Sequence, residues 1–423
     1  MLKEKNHKYY IDDVSIEELA DAYGTPLYVY DISQIKANIQ ELRDSFLNKY
    51  ENTTVSYAGK AFLCQAMVEL IEDEGLNLDL VSGGELYTAL QSQFPPKRIE
   101  LNGNNKLYEE LELAIQHKVG KIIVDGFGEI EILRELTEKY QQDVELLFRV
   151  TPGVDAHTHE YISTAKVDSK FGFPPEEVLG VLQSINRDPH LTFRGFHFHI
   201  GSQLFDSKIY VKAFEALLPL FQETIHTIGP IKEINVGGGF GINYTDEKRQ
   251  PYSYFLDPLM EKIEEFFHSL HLSRPNITIE PGRSIVGDGG YTLYRGGAIK
   301  NIKGVRKYVS IDGGMTDNIR PALYGAQYKA VVDGKSGEEE VVTLCGKCCE
   351  SGDLIIEDIS LPSIDRGDLI MVFSTGAYGY SMASNYNHLP RPAVVFVEKD
   401  RHQIVVQREK YEDLMSRDHS WRV

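Results

Sequence analysis

The fold turns on one stretch, Lys121-Ile-Ile-Val-Asp-Gly-Phe-Gly-Glu-Ile-Glu-Ile-Leu-Arg-Glu-Leu-Thr-Glu-Lys-Tyr-Gln-Gln-Asp-Val-Glu-Leu-Leu-Phe-Arg-Val150. It opens on an apolar run of strand length at 121–124 and closes on another at 144–150, and between them Ile130, Leu133 and Leu136 recur at helical spacing. Strand, helix and strand in succession make one right-handed βαβ unit. Working outward, the same alternation continues. Further strand-like runs stand at 55–58, 76–81 and 98–101 on one side and at 193–200, 233–236 and 276–280 on the other, with helical patterns such as Leu107, Leu111, Ala114 and Ile115 between them. Eight strands alternating with helices predict a closed (β/α)8 barrel. An open doubly wound sheet is the competing architecture, but it carries a Gly-rich nucleotide loop after its first strand, and none stands there.

From about Ser284 the texture changes. Short β-branched runs at 308–311, 340–344, 369–373, 393–397 and 403–407 are separated by Gly, Asp and Pro turns, which reads as an all-β domain of sandwich or barrel type. The strand-like segment 27–30 is expected to join it. The barrel is therefore placed at 31–284 and the β domain at 1–30 together with 285–423. The first part of the long excursion 151–194, residues 151–160, reads as a loop on the barrel face.

The 423 residues allow two or three domains, and 42% hydrophobic with 25% charged residues is ordinary for a globular protein, which excludes disordered and collagen-like classes. No apolar run approaches the length of a membrane span. A net charge of −19 repels phosphate backbones, so no nucleic-acid partner is expected, although a local basic pocket for a small anion stays open. Three of the four cysteines crowd at 345, 348 and 349, a pattern suited to a reducing compartment. The first charged residues are followed by no apolar run of signal-peptide type. A cytoplasmic protein without a membrane partner is expected.

In a (β/α)8 barrel the chemistry sits at the C-terminal ends of the strands. Those ends read Tyr57-Ala-Gly-Lys60, Ser82-Gly-Gly-Glu-Leu86, His197-Phe-His-Ile-Gly-Ser-Gln203, Gly237-Gly-Gly-Phe-Gly241 and Glu280-Pro-Gly-Arg283. The glycine triplet is either a flexible turn or an anion cradle, to which a following helix N-terminus would add its dipole. Its place on strand seven, where barrels frequently put a phosphate, and Arg283 on strand eight favour a phosphate-bearing ligand. Lys60 is a surface lysine or a carbonyl-condensing amine. If the phosphate belongs to pyridoxal phosphate, one lysine must carry the cofactor, and Glu280 supplies a carboxylate for the pyridine nitrogen. His197 and His199, two apart on a strand, share one face and are either a metal pair or imidazoles beside a flat ring. A metal-dependent barrel hydrolase puts such a pair on strand one, where Lys60 stands, so no metal is expected. Cys345-x-x-Cys348-Cys349 lacks a fourth zinc ligand, which leaves a reactive thiol beside Glu350, with Cys345 and Cys64 as inert cysteines.

Taken in register, these motifs resemble the fold-type III pyridoxal-phosphate decarboxylases. The likeness spans nearly the whole chain and extends through Asp317-Asn-Ile-Arg-Pro-Ala-Leu-Tyr324, Cys349-Glu-Ser-Gly-Asp353, Gly376-Ala-Tyr378 and Ser381-Met-Ala-Ser-Asn-Tyr386. The resemblance implies that Lys60 holds pyridoxal phosphate, His199 stacks on the ring and Glu280 pairs with the pyridine nitrogen. By the same resemblance Ser202, Gly238, Gly239, Gly282, Arg283 and Tyr378 bind the cofactor's phosphate. Arg283, Arg320, Tyr324, Glu350 and Tyr378 would hold the far end of the substrate, and Cys349 would donate a proton after carbon dioxide leaves. It further implies a homodimer whose active sites are shared across the interface. The implied reaction is decarboxylation of meso-2,6-diaminopimelate, whose remote end carries an ammonium and a carboxylate and so calls for groups of both signs. The alternatives are decarboxylation of ornithine, lysine, arginine or carboxynorspermidine, and a non-catalytic carrier, which would need Lys60 but not Cys349 or Glu350. One departure stands out. The familiar Gly-Pro-x-Cys-Glu loop reads Gly346-Lys347-Cys348-Cys349-Glu350 here, which loosens the turn and adds a second thiol.

Overall fold

In the computed structural model, which describes residues 1–154 and 169–422, eight parallel strands close into a barrel. They are β1 (Thr53–Ala58), β2 (Asn77–Leu80), β3 (Ile99–Leu101), β4 (Lys121–Val124), β5 (Val144–Arg149), β6 (Leu191–His197), β7 (Glu233–Asn235) and β8 (Asn276–Ile279). Each pairs with its neighbour in sequence, and β8 closes on β1 with Thr278 opposite Thr54. Helices follow the strands with their apolar stripes buried. Phe127–Tyr140, between β4 and β5, buries Ile130, Leu133 and Leu136, the residues whose spacing announced it. Most of the loop read at 151–160 lies outside the described residues.

The chain divides into two compact units, one of residues 39–241 with 249–284, the other of 1–38, 242–248 and 285–423. The second unit thus takes in 31–38 and 242–248, segments placed with the barrel on sequence alone. Asn38 Nδ2 donates to the carbonyl of Ile285 and to Asp288, and Ser374 Oγ donates to the carbonyl of Asn243. These bonds to side chains are invisible to periodicity.

Within this unit the strand Leu27–Asp31 lies between Gly290–Ile302, antiparallel, and Ala393–Glu398, parallel. All five runs read after Ser284 are strands, at Arg306–Ile311, Glu339–Cys345, Leu369–Val372, Ala393–Glu398 and Arg401–Val406. After Ser284 three further strands were not anticipated, Gly290–Ile302, Ala330–Val332 and Leu354–Pro362, and neither was the N-terminal sheet of Leu2–Lys5, Lys8–Ile11 and Val14–Ser15. Gly290–Ile302 is the long central strand, and Gly296-Gly297 inside it reads as a turn. The register with Arg306–Ile311 shifts there instead, between Gly296 and Ile299, so the glycines mark an irregularity within a continuous strand. Helices Ile16–Tyr23, Arg320–Tyr324 and Tyr411–Met415 make the unit mainly β rather than all β. Among the described residues no helix is long and apolar enough to cross a membrane.

Candidate active site

The barrel unit carries most of the expected groups on the loops that leave its strands. Lys60 sits in the single turn Gly59–Ala61 after β1. Its charge bears on Asp79, Glu85, Glu280 and His199. Glu280, just past β8, is 5% exposed, and two donors hold it. Asn235 Nδ2 donates to Oε1 at 2.7 Å, and His197 Nε2 lies 3.1 Å from Oε1 and 3.2 Å from Oε2. Burial pushes the Glu280 carboxyl up, while Lys60 and Arg149 oppose the rise. Burial, with the Arg149 charge adding to it, holds the His197 imidazole well below its ordinary range, so it is neutral. The network then assigns the proton to Nε2, facing the carboxylate, and leaves Nδ1 as a buried lone pair without a partner among the described residues.

His199 lies beyond the end of β6, and its Nδ1 accepts the N–H of Gly238 at 3.2 Å, which fixes the ring's orientation. It too is neutral, through burial first and the Lys60 charge second. The two histidines therefore do not share a strand face as their spacing predicted. The strand ends between them, and each ring is committed to a different partner.

The glycine triplet is a requirement of packing. A Cβ on Gly238 would stand 2.1 Å from the carbonyl oxygen of Glu280. Gly239 has φ +103°, and a Cβ there would meet the carbonyl oxygen of Gly201 at 2.3 Å. The turn after β7 is thus pressed against the loops after β6 and β8. The helix expected to follow it is absent. Leu204 N–H donates to Gly239 O, Gly241 N–H donates to Leu204 O, and Phe240 stacks at 5.4 Å on Tyr210, which pins the chain extended. The next helix is Tyr252–Ser269. A short helical turn, Arg283–Val286, instead follows Gly282 after β8. Arg283 donates from its guanidinium to Ser202 Oγ at 2.9 Å, which brings these two expected ligands together.

The other expected groups belong to the β-rich unit. Arg320 opens the turn Arg320–Tyr324 and is buried, donating from one nitrogen to Tyr244 Oη at 3.0 Å and Tyr328 Oη at 2.6 Å. Among the described residues no carboxylate pairs with it, and its Nε has no hydrogen-bond partner. Tyr324 is half-buried on the same turn, and Tyr378 is half-buried with φ +60°. Cys349 and Glu350 are exposed, and Asn387 Oδ1 accepts the backbone N–H of Cys349 at 2.6 Å. Cys348 is buried, and burial together with Asp353 pushes its thiol up to about 11. Of the two adjacent thiols, Cys349 is the accessible one.

Sequence reasoning missed a buried polar set inside the barrel, including Asp79, Glu100, Lys121, Arg149, Glu233 and Asn235. A signal was present, because Ile99-Glu-Leu101 and Glu233-Ile-Asn235 put charged or amide side chains into strands that should be wholly apolar. Taken together the barrel groups fit pyridoxal phosphate. They supply a lysine, a buried carboxylate with two donors behind it for a cationic ring nitrogen, a fixed neutral imidazole, and glycine-lined loops with Ser202 and Arg283 for the phosphate.

Comparison with known proteins agrees. The family described as pyridoxal-dependent decarboxylase, pyridoxal binding domain, matches residues 33–287. The chain is 47% identical to the diaminopimelate decarboxylase of Bacillus subtilis over 406 residues, 95% of this chain and 92% of that one. The crystal structure of the diaminopimelate decarboxylase of M. jannaschii superposes with a TM-score of 0.92 at 34% identity, over 99% of this chain and 98% of that one. A lysine/ornithine decarboxylase from Vibrio vulnificus, at 24% identity and a TM-score of 0.78 over 91% of this chain and 97% of that one, shares the fold.

Proposed function

We propose that this chain, which belongs to the pyridoxal-dependent decarboxylase family, decarboxylates meso-2,6-diaminopimelate to L-lysine and carbon dioxide, the last step of lysine biosynthesis. The observation that carries the choice of substrate is the full-length likeness to diaminopimelate decarboxylases. Arg320 supports it from within the chain. A buried guanidinium held by two tyrosine hydroxyls and, among the described residues, paired with no carboxylate suits a carboxylate brought by the ligand. Lysine and ornithine bring none at their remote ends.

When bound, pyridoxal phosphate supplies an electron-accepting ring that takes up the pair left by the departing carboxylate. Lys60 would hold the cofactor through its side-chain amine. Glu280, on which Asn235 and His197 converge, would hold a proton on the ring nitrogen. His199 would pack on the ring face, and Ser202, Gly238, Gly239, Gly282, Arg283 and Tyr378 would bind the phosphate. Arg320, Tyr324 and Glu350, with Arg283 and Tyr378, hold the far ammonium and carboxylate. Cys349 Sγ delivers the proton to the carbon that lost its carboxylate.

The cofactor-binding domain is carried by the barrel unit within 31–284, and the β domain by 1–30 and 285–423 together with 31–38 and 242–248. The protein is cytoplasmic, and two copies form a homodimer in which the exposed Cys349–Glu350 loop completes the partner's site.

The test is product analysis with purified protein and pyridoxal phosphate, offering meso- and LL-diaminopimelate, L-lysine, L-ornithine and L-arginine separately. Lysine from the meso isomer alone is expected. Cadaverine, putrescine or agmatine would overturn the substrate assignment. Replacing Arg320 by Ala removes charge-assisted hydrogen bonds and should lower kcat/KM for diaminopimelate by about ten- to a hundredfold. Unchanged turnover would remove Arg320 from the site.

A further inference from the structure

Asn235, the last residue of β7, spends every hydrogen-bonding group of its side chain. Its Nδ2 donates to Glu280 Oε1 at 2.7 Å and to Glu100 Oε2 at 2.9 Å, and its Oδ1 accepts the N–H of Gly237 at 3.0 Å. The amide cannot be turned over, because a flipped group would aim its oxygen at two carboxylates and its NH₂ at a backbone N–H. Glu100 is itself fixed. Its Oε1 accepts Ser56 Oγ at 2.6 Å and Lys121 Nζ at 2.9 Å, and Lys121 also reaches Glu233. Glu233 takes a further bond from Arg194. One neutral side chain thus stands between two buried carboxylates and also holds the first residue of the glycine turn.

We infer that Asn235 is a positioning residue of the cofactor site, holding Glu280 as an ionised acceptor and tying it to the glycine turn through one amide. The inference rests on the reading that Glu280 faces the pyridine nitrogen. Its chemistry is that of a donor placed where a third acid would be intolerable. With Asp at 235, an oxygen would replace the NH₂ between Glu280 and Glu100. The charged and titratable groups around them are Lys60 after β1, Asp79 on β2, Lys121 on β4, Arg149 on β5, His197 on β6 and Glu233 on β7. Like charges this close cannot all ionise, so the trio retains a proton near neutral pH and titrates as a unit. Glu280 is then no longer a dependable anion for the ring nitrogen.

The experiment uses the full-length protein and its Asn235→Asp variant, which is nearly isosteric. The cofactor's absorbance is followed from acid to alkaline pH, and its dissociation constant is measured by titrating the stripped protein with pyridoxal phosphate. Loss of a hydrogen bond to a charged group predicts binding weaker by about ten- to a hundredfold. The variant should also show a pH-dependent change of absorbance in a range where the parent stays constant. If the aspartate variant does not fold, Asn235→Ser carries the test, since one hydroxyl cannot serve two carboxylates, and the same weakening is expected. A variant that matches the parent in absorbance and cofactor affinity but melts at a lower temperature has lost only packing, and overturns the inference. Failure of the parent itself to take up the cofactor would overturn the functional reading and this inference with it.

Discussion

The barrel's interior and the Cys349–Glu350 loop of the β-rich unit handle functional groups in opposite ways. In the barrel Glu280, His197, Asn235, Glu100 and Lys121 are buried and mutually bonded, so that the carboxylate's direction is set before any ligand arrives. Such a buried charge set is weak evidence for stability, since desolvation of each ion offsets most of its pairing, but it fixes geometry. In the loop, Cys349 and Glu350 are held by their backbone, through Asn387 and a local turn, while their side chains remain exposed. The barrel half is preorganised by itself. The loop is held mainly through its backbone, with Glu350 Oε1 accepting Gly352 N–H at 3.3 Å, and its side chains stay exposed, as the proposed completion of a second copy's site would require.

The sharpest way to break this comparison is Lys60→Ala. It should abolish turnover and the cofactor's lysine-linked absorbance together, while circular dichroism stays close to the parent. Retained absorbance would move the cofactor's attachment elsewhere. The loop gives the next largest effect. Removing a positioned general acid costs about a hundred- to ten-thousandfold in kcat, so Cys349→Ser should fall in that range. Cys348→Ser should leave kcat close to the parent and act on stability, since that thiol is buried against Asp353. Equal losses from the two would mean that exposure does not decide which thiol acts.

The smallest expected effect concerns pH. Each unit buries a carboxyl pushed up to about 7, Glu85 in the barrel and Asp317 in the β-rich unit, in both cases by burial. The native state holds a proton there that the unfolded chain releases near its ordinary, lower pKa. Stability is therefore fully present below that lower value and is lost as pH rises through about 7, by on the order of 3 kcal/mol for each group. Denaturant melts at pH 5 and pH 8 should show the loss in the parent. Asp317→Asn should remove one part of the slope and Glu85→Gln the other, and a slope unchanged in both variants would assign the pH dependence to different groups.

Much of this was legible in the chain. Lys121–Val124, the helix carrying Ile130, Leu133 and Leu136, and Val144–Arg149 are where their periodicity put them, because amphipathic spacing is local physics. Gly290–Ile302 was not legible, since glycine pairs read as turns and only pairing partners on both sides reveal a strand. The helix expected after Gly241 failed for a related reason, as Leu204 and Tyr210 hold that segment extended from another part of the chain.

The sequence by itself determined the alternation that makes a barrel, and the order of Lys60, His199, the glycine triplet and Glu280 along its strand ends. Only the tertiary structure decided what stands behind them. Asn235 and Glu100 are 135 residues apart, and His197 and Glu280 are 83 apart. No spacing rule reaches such pairs, because barrel closure, and not chain proximity, brings them within hydrogen-bonding distance.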